Sequence, residues 1–424
     1  MNIAIFTNTF TPHVGGVARS VQAFTDEYRK MGHRTLVVAP KFDEMPAGEV
    51  DVVRIPAIQN FNTSDFSVAL PIPQGLTQTL IEFEPEIIHS QHPFLLGMTA
   101  VRAARSLHLP LVFTHHTLYE EYTHYVPGDS ALLRSFVIEL ATRYANLSDQ
   151  VIAPSESIRD LLMERGVRVP IEVVPTGVHL EKFAQGEPGK TRTTLGIADD
   201  AFVVGHMGRL ALEKNIRFLA ASVRRFLEDN LSAVFLVVGD GDARQVIENE
   251  FASRNLSERL LFTGTLENQD LSNALNAMDV FAFASRTETQ GMVLTEAMAA
   301  GLPVVALNAS GAREVVRDEI NGRLLEGDDE EGFADALRWV LELGDAGRAK
   351  LVAGARKTAE SFSMQRSAQS ALDCFANLRR QAATSAGEDQ QVWEQLMGRI
   401  KAEWQILSSL ASAGDDAISE NHRG

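Results

Sequence analysis

Two glutamates eight residues apart, Glu288 and Glu296, lie near the start of a predicted helix that follows a predicted strand and a polar turn ending at Gly291. A helix N-terminus favours negative charge, so the backbone N–H groups of residues 290–293 are suited to a diphosphate. A carboxylate beside an anion is electrostatically unfavourable, and its presence needs a further reason. Vicinal hydroxyls of a sugar or ribose supply that reason, because carboxylates accept their hydrogen bonds.

Two cations, Arg209 and Lys214, follow the predicted strand Val203–Met207. Arginine offers a rigid fork of donors and lysine a mobile point charge, a combination suited to phosphate oxygens. The alternative is an ion pair between Lys214 and a neighbouring carboxylate such as Glu213.

The loop after the first predicted strand contains Gly15 and Gly16. Paired glycines between a strand and a helix let backbone N–H groups approach an anion. The alternative is a tight turn that needs a positive φ at one of them. The spacing is not GxGxxG, so the fingerprint of a nicotinamide dehydrogenase is absent.

A polar and aromatic loop at 113–125 holds three histidines, three tyrosines and two glutamates. Such a loop at the carboxyl end of a strand is suited to hydroxylated ligands, although ordinary satisfied polar residues remain an alternative. Its spacing does not favour a metal site. His115 and His116 would point to opposite sides of an extended chain, and His124 lies eight residues beyond His116 without a convincing third ligand.

These residues follow short apolar runs that alternate with amphipathic stretches of helical length, which indicates βαβ units and buried parallel sheets. The predicted strands are Asn2–Phe6, Arg34–Ala39, Val52–Ile55, Ile87–Ser90, Leu111–Thr114, Val151–Ala153, Glu172–Pro175, Val203–Met207, Val234–Val238, Leu260–Thr263, Val280–Ala284, Val304–Leu307 and Gly322–Leu325. We expect two doubly wound domains, over 1–182 and 183–361, with a polar linker at 183–193 and a cleft between the carboxyl ends of their sheets. A helix over 362–382 is expected to return to the first domain. Residues 383–424 are expected to add an amphipathic helix, Trp393–Leu407, and a disordered tail.

The chain has 424 residues, with 39 Lys and Arg against 56 Asp and Glu and a formal charge of −17. Single cores seldom grow beyond about 250–300 residues, which agrees with more than one domain. The acidity argues against nucleic-acid binding. One cysteine, Cys374, excludes an internal disulfide and a cysteine-based zinc cluster, and no apolar run reaches the length of a membrane span. The predicted location is cytoplasmic.

The segment from Glu288 to Glu296, followed by Ala-x-x-x-Gly-Leu-Pro-Val-Val, resembles the signature of the retaining glycosyltransferases of family 4, which have the two-domain GT-B fold. The glycine pair, the histidine after a first-domain strand and the Arg209–Lys214 segment fall in the family's order. Within that family, Thr-Glu-Thr-Gln-Gly and His-Thr-Leu-Tyr-Glu-Glu-Tyr-Thr-His-Tyr look most like transferases that glucosylate or galactosylate diacylglycerol. One departure is Gln290-Gly-Met, where many relatives carry Phe-Gly-Leu, so the packing of this loop is an open question.

The resemblance implies a role for each matched residue. The expected catalytic residues are His116 and Glu288; the expected donor-binding residues are Gly15, Gly16, Arg209, Lys214, Gln290, Gly291, Met292, Val293 and Glu296; and the expected acceptor-binding residues are His13, Tyr119 and Tyr122. No metal and no cofactor are expected besides a nucleotide sugar, UDP-glucose or UDP-galactose, as co-substrate.

The implied acceptor is a lipid hydroxyl such as that of diacylglycerol, which requires contact with a membrane. The apolar stripe of Ala131–Tyr144 is the candidate surface, and it is also suited to core packing. Residues 1–184 carry 14 Lys and Arg against 20 Asp and Glu, so most of the acid lies beyond them and weak peripheral contact through the first domain remains compatible with the charge. Two alternatives stay open: transfer to a soluble or polyprenyl-linked saccharide, and a non-catalytic protein that binds nucleotide sugars.

Overall fold

The computed structural model describes residues 1–13, 15–42, 45–58, 68–69, 75–121 and 131–385. The predicted acceptor residue Tyr122, His124 and the predicted helix Trp393–Leu407 lie outside these ranges.

The strands form two parallel sheets, and every strand predicted from the sequence is present with ends shifted by at most two residues. The first domain contains β1 (Asn2–Phe6), β2 (Arg34–Pro40), β3 (Val52–Ile55), the antiparallel pair β4 (Ala57–Ile58) and β5 (Val68–Ala69), β6 (Ile87–Ser90), β7 (Leu111–Thr114), β8 (Gln150–Ala153) and β9 (Ile171–Val173). The second domain contains β10 (Val203–Met207), β11 (Val234–Val238), β12 (Leu260–Gly264), β13 (Val280–Phe283), β14 (Val304–Leu307) and β15 (Gly322–Leu325).

The strand order shows where each sheet can bind a ligand. It is β3-β2-β1-β6-β7-β8-β9 in the first domain and β12-β11-β10-β13-β14-β15 in the second. In each sheet the order reverses beside the first strand, between β1 and β6 and between β10 and β13. Ligands of open α/β sheets bind outside the carboxyl ends of the strands at such a reversal.

Helices cover both faces of each sheet, which is why the strands are continuous apolar runs. They are α1 (Gly16–Lys30), α2 (Leu76–Phe83), α3 (Leu96–Leu107), α4 (Ala131–Ala145), α5 (Glu156–Glu164), α6 (Leu180–Ala184), α7 (Pro188–Leu195), α8 (Ile216–Asp229), α9 (Arg244–Ala252), α10 (Asn268–Asn276), α11 (Met292–Ala299), α12 (Glu330–Glu342), α13 (Asp345–Ser361) and α14 (Met364–Ser385). Within the described ranges, every helix is too short or too polar to cross a lipid bilayer.

The segment whose composition predicts a linker is mostly helical. Helices α6 and α7 lie there, and both pack against α10 of the second domain. Gly186 is so close to this helix that a Cβ at 186 would lie 2.3 Å from the Nδ2 atom of Asn276. The domains are joined instead where two chain segments cross, because the N–H of Val178 donates to the carbonyl of Phe362 and the N–H of Met364 donates to the carbonyl of Val178.

The last described helix, α14, packs against the first domain. Phe375 is fully buried and contacts the rings of Tyr28 and His89. Near the end of the helix, Arg379 forms an ion pair with Glu86. The chain therefore crosses back from the second domain and closes one face of the first sheet.

Helix α4 is buried only at its end. Its buried residues are Ala141, Thr142, Tyr144 and Ala145, whereas Leu132 is 81% exposed. The first ten residues of α4 contain no buried side chain. Its apolar stripe is therefore half-buried, with Leu132 the exposed end.

Candidate active site

A cavity of about 350 Å³ lies between the carboxyl ends of the two sheets. Residues that follow β10 and β13 form its wall in the second domain, at the point where the strand order reverses. The N-terminal turn of α1 and the loop after β7 form the opposite wall. Its volume is in the range of small-ligand sites, roughly 300–1,000 Å³.

Both predicted phosphate-binding cations line this cavity, and each is paired with a carboxylate. Lys214 Nζ lies 2.7 Å from Glu288 Oε1, and both side chains are about one-fifth exposed. Arg209 forms an ion pair with Glu213 and is nearly half exposed. Lys214 therefore does pair with a carboxylate, as the sequence alternative has it, but that carboxylate is Glu288, 74 positions away, and Glu213 pairs with Arg209.

Two helix N-termini reach the cavity. Gly291 precedes α11 with φ 71° and ψ 50°, a left-handed conformation that favours glycine, and α11 has no side-chain cap. Because Met292 and Val293 line the cavity in the first turn, their N–H groups are available to an anion. On the other wall, α1 begins at Gly16 without a side-chain cap.

The glycine pair is not a positive-φ turn. Gly15 has φ −168°, which is extended, and Gly16 is not among the residues with positive φ. A Cβ at Gly15 would lie 3.0 Å from the His13 ring, whereas a Cβ at Gly16 would meet nothing within 4 Å. Gly16 therefore leaves open space at the mouth of α1, as the anion-binding interpretation requires.

The two predicted hydroxyl-binding glutamates occupy different environments. Glu288 lines the cavity, whereas Glu296 lies below its surface, 5% exposed, and forms an ion pair with Arg19 of α1. Burial raises the pKa of Glu296, while the neighbouring charge of Arg19 opposes that rise. The second carboxylate oxygen, Oε2, is buried without a hydrogen-bond partner among the described residues.

His116 lies where the two domains meet. Its Nε2 is 2.6 Å from Gln91 Oε1, at the end of β6, and its ring lines the cavity. The carbonyl oxygen of Gln91 only accepts, so His116 Nε2 carries the hydrogen and Nδ1 remains an acceptor. From the second domain, the hydroxyl of Thr289 donates to the carbonyl of His116 at 2.9 Å.

Burial keeps the histidines around this site neutral. It lowers the pKa of His89, His92 and His115 to about 3 and that of His116 to about 4. Protonated His116 would also lower the pKa of His89, because two positive rings repel each other. At pH 7 the ring of His116 therefore donates one hydrogen bond and can accept another, but it carries no charge.

The structure answers the question raised by Gln290. Gln290 lines the cavity, but its side chain is buried and bonded to the first domain. Its Oε1 accepts from the N–H of Thr176 at 2.7 Å, and its Nε2 donates to the Thr176 carbonyl at 2.6 Å. Ser155 also donates to the carbonyl of Thr289 at 2.7 Å. The loop that carries Glu288 is thus fastened to the first domain by hydrogen bonds.

Two of the three predicted acceptor residues, His13 and Tyr119, are not brought into the cavity wall. His13 stacks on Phe42, with ring centroids 6.2 Å apart. Tyr119 packs edge-on against Phe94 and His115. Neither is among the residues lining the cavity, where Thr117 and Leu118 stand instead.

Sequence reasoning missed the contributions of Arg19, Gln91 and His206. Gln91 directly follows β6, a position that points to the cavity edge, and Arg19 lies near the start of α1. His206 carried no such signal, because it lies inside a predicted strand. Among the described residues, no three His, Cys, Asp or Glu side chains are grouped as a metal site would need.

Comparison with known sequences identifies the family. The sequence profile described as Glycosyltransferase Family 4 matches residues 14–182, and the profile described as Glycosyl transferases group 1 matches residues 189–358. An alpha-monoglucosyldiacylglycerol synthase from Streptococcus pneumoniae is 31% identical over 341 residues, which cover 77% of this chain and 76% of that protein. The chain belongs to the family 4 glycosyltransferases.

Two further similar proteins differ in the nucleotide sugar that their descriptions name. A GDP-mannose-dependent alpha-mannosyltransferase from Corynebacterium glutamicum is 28% identical over 355 residues, covering 81% of each chain. The Anabaena protein HepE, solved in complex with UDP-glucose, matches with a TM-score of 0.69 and 22% identity, over 89% of this chain and all of that one. The protein is therefore a glycosyltransferase with the two-domain GT-B fold.

Proposed function

We propose that this glycosyltransferase moves a hexose from a nucleotide sugar, UDP-glucose or UDP-galactose, to a lipid hydroxyl such as that of diacylglycerol, with retention of anomeric configuration. The observation that carries the donor half of this proposal is the convergence of Arg209, Lys214 and the N-terminus of α11 on one cavity wall. The named activity of the Streptococcus pneumoniae relative supports the acceptor half. The first domain is proposed to bind the acceptor and the second to bind the donor.

The donor diphosphate is proposed to lie between Arg209, Lys214 and the first turn of α11. Negative charge builds on the leaving phosphate as the anomeric C–O bond breaks. Fixed donors aimed at that charge stabilise it by about 3 kcal/mol each. Glu288 would then accept from hydroxyls of the transferred sugar, and Glu296 from the ribose.

We favour attack by the acceptor hydroxyl on the same face from which the phosphate leaves, with the hydroxyl proton passing to the departing phosphate oxygen. A covalent intermediate would need a carboxylate nucleophile at the anomeric carbon. Among the described residues lining the cavity, Glu288 is the one carboxylate, and Lys214 binds it. A fluorinated donor that trapped a glycosylated Glu or Asp would refute this mechanism.

His116 is proposed to contact the sugar and the acceptor as a neutral ring. Its Nε2 hydrogen is held by Gln91, so Nδ1 is the atom able to accept from a hydroxyl. His116→Ala should lower kcat by one to two orders of magnitude while leaving UDP binding within about twofold. Retention of most of the transfer rate would remove His116 from the mechanism.

Contact with the lipid surface is proposed to use the apolar stripe of α4, where Leu132 is 81% exposed and the other apolar residues are half-buried. Arg134 and Arg143 flank this stripe. Two cations and one short apolar face favour weak, reversible attachment of the cytoplasmic protein.

The donor and the acceptor are varied independently in one assay. Release of free nucleotide is measured with UDP-glucose, UDP-galactose and GDP-mannose, each with diacylglycerol vesicles, a soluble saccharide or a polyprenyl-linked saccharide as acceptor. Transfer of glucose or galactose to diacylglycerol is expected. A preference for either saccharide acceptor would overturn the lipid proposal, and binding without nucleotide release in every combination would favour a non-catalytic protein.

Metal independence is tested in the same assay. Because Arg209, Lys214 and α11 are proposed to stabilise the phosphate, EDTA should leave the rate within twofold. Loss of the rate with EDTA and its return with Mg²⁺ would contradict the proposal.

A further inference from the structure

His206 is buried in the cavity wall and has no role in the reaction proposed above. It stands near the end of β10, 3% exposed, with its ring stacked on Phe281 at a centroid distance of 6.2 Å. Its Nδ1 lies 3.0 Å from the carbonyl oxygen of Ala282. A carbonyl only accepts hydrogen bonds, so Nδ1 carries the hydrogen.

The other ring nitrogen is therefore an acceptor. Burial lowers the pKa of His206 to about 4, so the ring is neutral at pH 7 and Nε2 has a lone pair but no hydrogen. Nε2 is buried and has no hydrogen-bond partner among the described residues. An unsatisfied buried acceptor destabilises a protein by about 1–3 kcal/mol, so a donor that reaches it is favoured.

The surroundings of Nε2 show which direction a ligand would come from. A Cβ built on Gly208 would lie 4.0 Å from this atom, so the glycine leaves the adjacent space open. His206, Gly208, Lys214 and Glu288 all line the same cavity. The charges of Glu288 and Lys214 both act on the His206 ring, which places this pair near it.

The type of ligand group follows from the lone pair. A phosphate oxygen only accepts and would be repelled by Nε2, whereas a hydroxyl can donate to it. Glu288, the proposed ligand for hydroxyls of the transferred sugar, is on the same wall, while Glu296, the proposed ribose ligand, is buried below Arg19. A hydroxyl of the transferred sugar is therefore the group that fits.

We propose that His206 Nε2 accepts a hydrogen bond from one hydroxyl of the transferred sugar and so determines which sugar the enzyme accepts. The inference rests on the proposed use of a nucleotide sugar. The proposal adds a residue that determines sugar specificity, and this residue lies in strand β10, just before the Arg209–Lys214 segment.

The test separates sugar binding from nucleotide binding. Titration calorimetry compares the wild type, His206→Phe and His206→Gln with UDP, UDP-glucose, UDP-galactose and GDP-mannose. His206→Phe keeps an aromatic ring but loses the acceptor, so the Kd of the preferred nucleotide sugar should rise about five- to tenfold while that of its nucleoside diphosphate stays within twofold. His206→Gln retains an acceptor oxygen and should recover part of the lost affinity.

A measurement on the unmodified chain guards against a variant that does not fold. In the ¹⁵N spectrum of the histidine rings, the Nε2 resonance of His206 should shift when the nucleotide sugar binds and remain in place with the nucleoside diphosphate. An unchanged resonance, or equal weakening of both ligands in His206→Phe, overturns the inference. A wild type that binds no nucleotide sugar overturns the proposed function and this inference with it.

Discussion

His115 provides a quantitative test of how burial controls charge in the first domain. The residue is 1% exposed, and neither ring nitrogen has a hydrogen-bond partner among the described residues. Its ring contacts the edges of Phe113 and Tyr119 at centroid distances of 5.8 and 6.0 Å. Burial first, and then the charge of Arg165, lowers its pKa to about 3.

The sign of the pH dependence follows from proton uptake. In the unfolded chain the histidine pKa is about 6.5, so between pH 6.5 and 3 the unfolded state binds a proton that the folded state does not. Stability is therefore complete above pH 6.5 and is lost as the pH falls toward 3. With these pKa values, His115 alone lowers the free energy of unfolding by about 2 kcal/mol between pH 7.5 and 5.

His115→Phe removes this proton site while keeping an aromatic ring. Urea unfolding of the wild type and the variant is measured at pH 7.5 and at pH 5. At pH 5 the stability of the variant relative to the wild type should be about 2 kcal/mol more favourable than at pH 7.5. The difference in free energy of unfolding at pH 7.5 also includes the effect of the larger phenylalanine side chain. Only the change of that difference with pH therefore tests the argument.

His108→Asn is the matched control. His108 is exposed at the end of α3 with φ 52°, a left-handed conformation that asparagine tolerates. The stability of the His108→Asn variant relative to the wild type should be the same at the two pH values. The reasoning is refuted if His115→Phe shows the same stability difference at pH 5 and at pH 7.5.

Three further substitutions test the other contacts. Gln91→Glu places a carboxylate beside His116 and should raise its pKa from about 4, moving the acid limb of the kcat/KM profile to higher pH, whereas an unshifted limb would contradict the contact. Gln290→Leu leaves the backbone groups of Thr176 unpaired and should destabilise the protein by about 2 kcal/mol or more, measured by urea unfolding, and wild-type stability would show that the two bonds are dispensable. Leu132→Asp should reduce co-sedimentation with diacylglycerol vesicles several-fold without changing the Kd for UDP-glucose, and undiminished co-sedimentation would exclude the α4 stripe as the contact.

The strands could be predicted because they depend on short-range information. A strand buried on both faces requires an unbroken run such as Val234–Val238, and the turn residues beside it fix its ends to within two positions. The order of alternating strands and helices then leaves few parallel topologies. For the same reason, Arg209 and Glu288 could be assigned to the cavity edge from their positions directly after strands.

Helix α7 shows how composition can mislead when position is ignored. Its sequence begins with Pro188 at the first helical position and is followed by Gly196 with φ 67°. Proline at the start and glycine just past the end are helix signals, because proline lacks an N–H that the first turn does not use and glycine adopts the left-handed cap. The Gly and Pro content of 183–193 predicted a linker, whereas their positions indicated a helix.

Two ion pairs of the site could not be predicted: Arg19–Glu296 depends on how the two domains meet, and Lys214–Glu288 depends on how the second domain folds. Arg19 and Glu296 are separated by 277 residues, and Lys214 and Glu288 by 74. Each pair joins a cation to a carboxylate that the family resemblance assigns to sugar or ribose hydroxyls. A carboxylate oxygen already bound to a cation has less capacity for a hydroxyl, and an Arg or Lys bound to a carboxylate has fewer donors for phosphate.

The proposed donor, a nucleotide sugar, carries one kind of group for each member of such a pair. In the proposed function, its diphosphate would attract Lys214 away from Glu288, and the released carboxylate would accept hydrogen bonds from its hydroxyls. At Glu296 the same exchange requires the Arg19 side chain, which is nearly half exposed, to leave a glutamate whose side chain is 7% exposed. Because Arg19 belongs to α1 of the first domain and Glu296 to α11 of the second, a ribose at the position proposed for it would alter a contact between the domains. If Glu296 binds the ribose as proposed, donor binding and the relative placement of the two domains are linked through this ion pair.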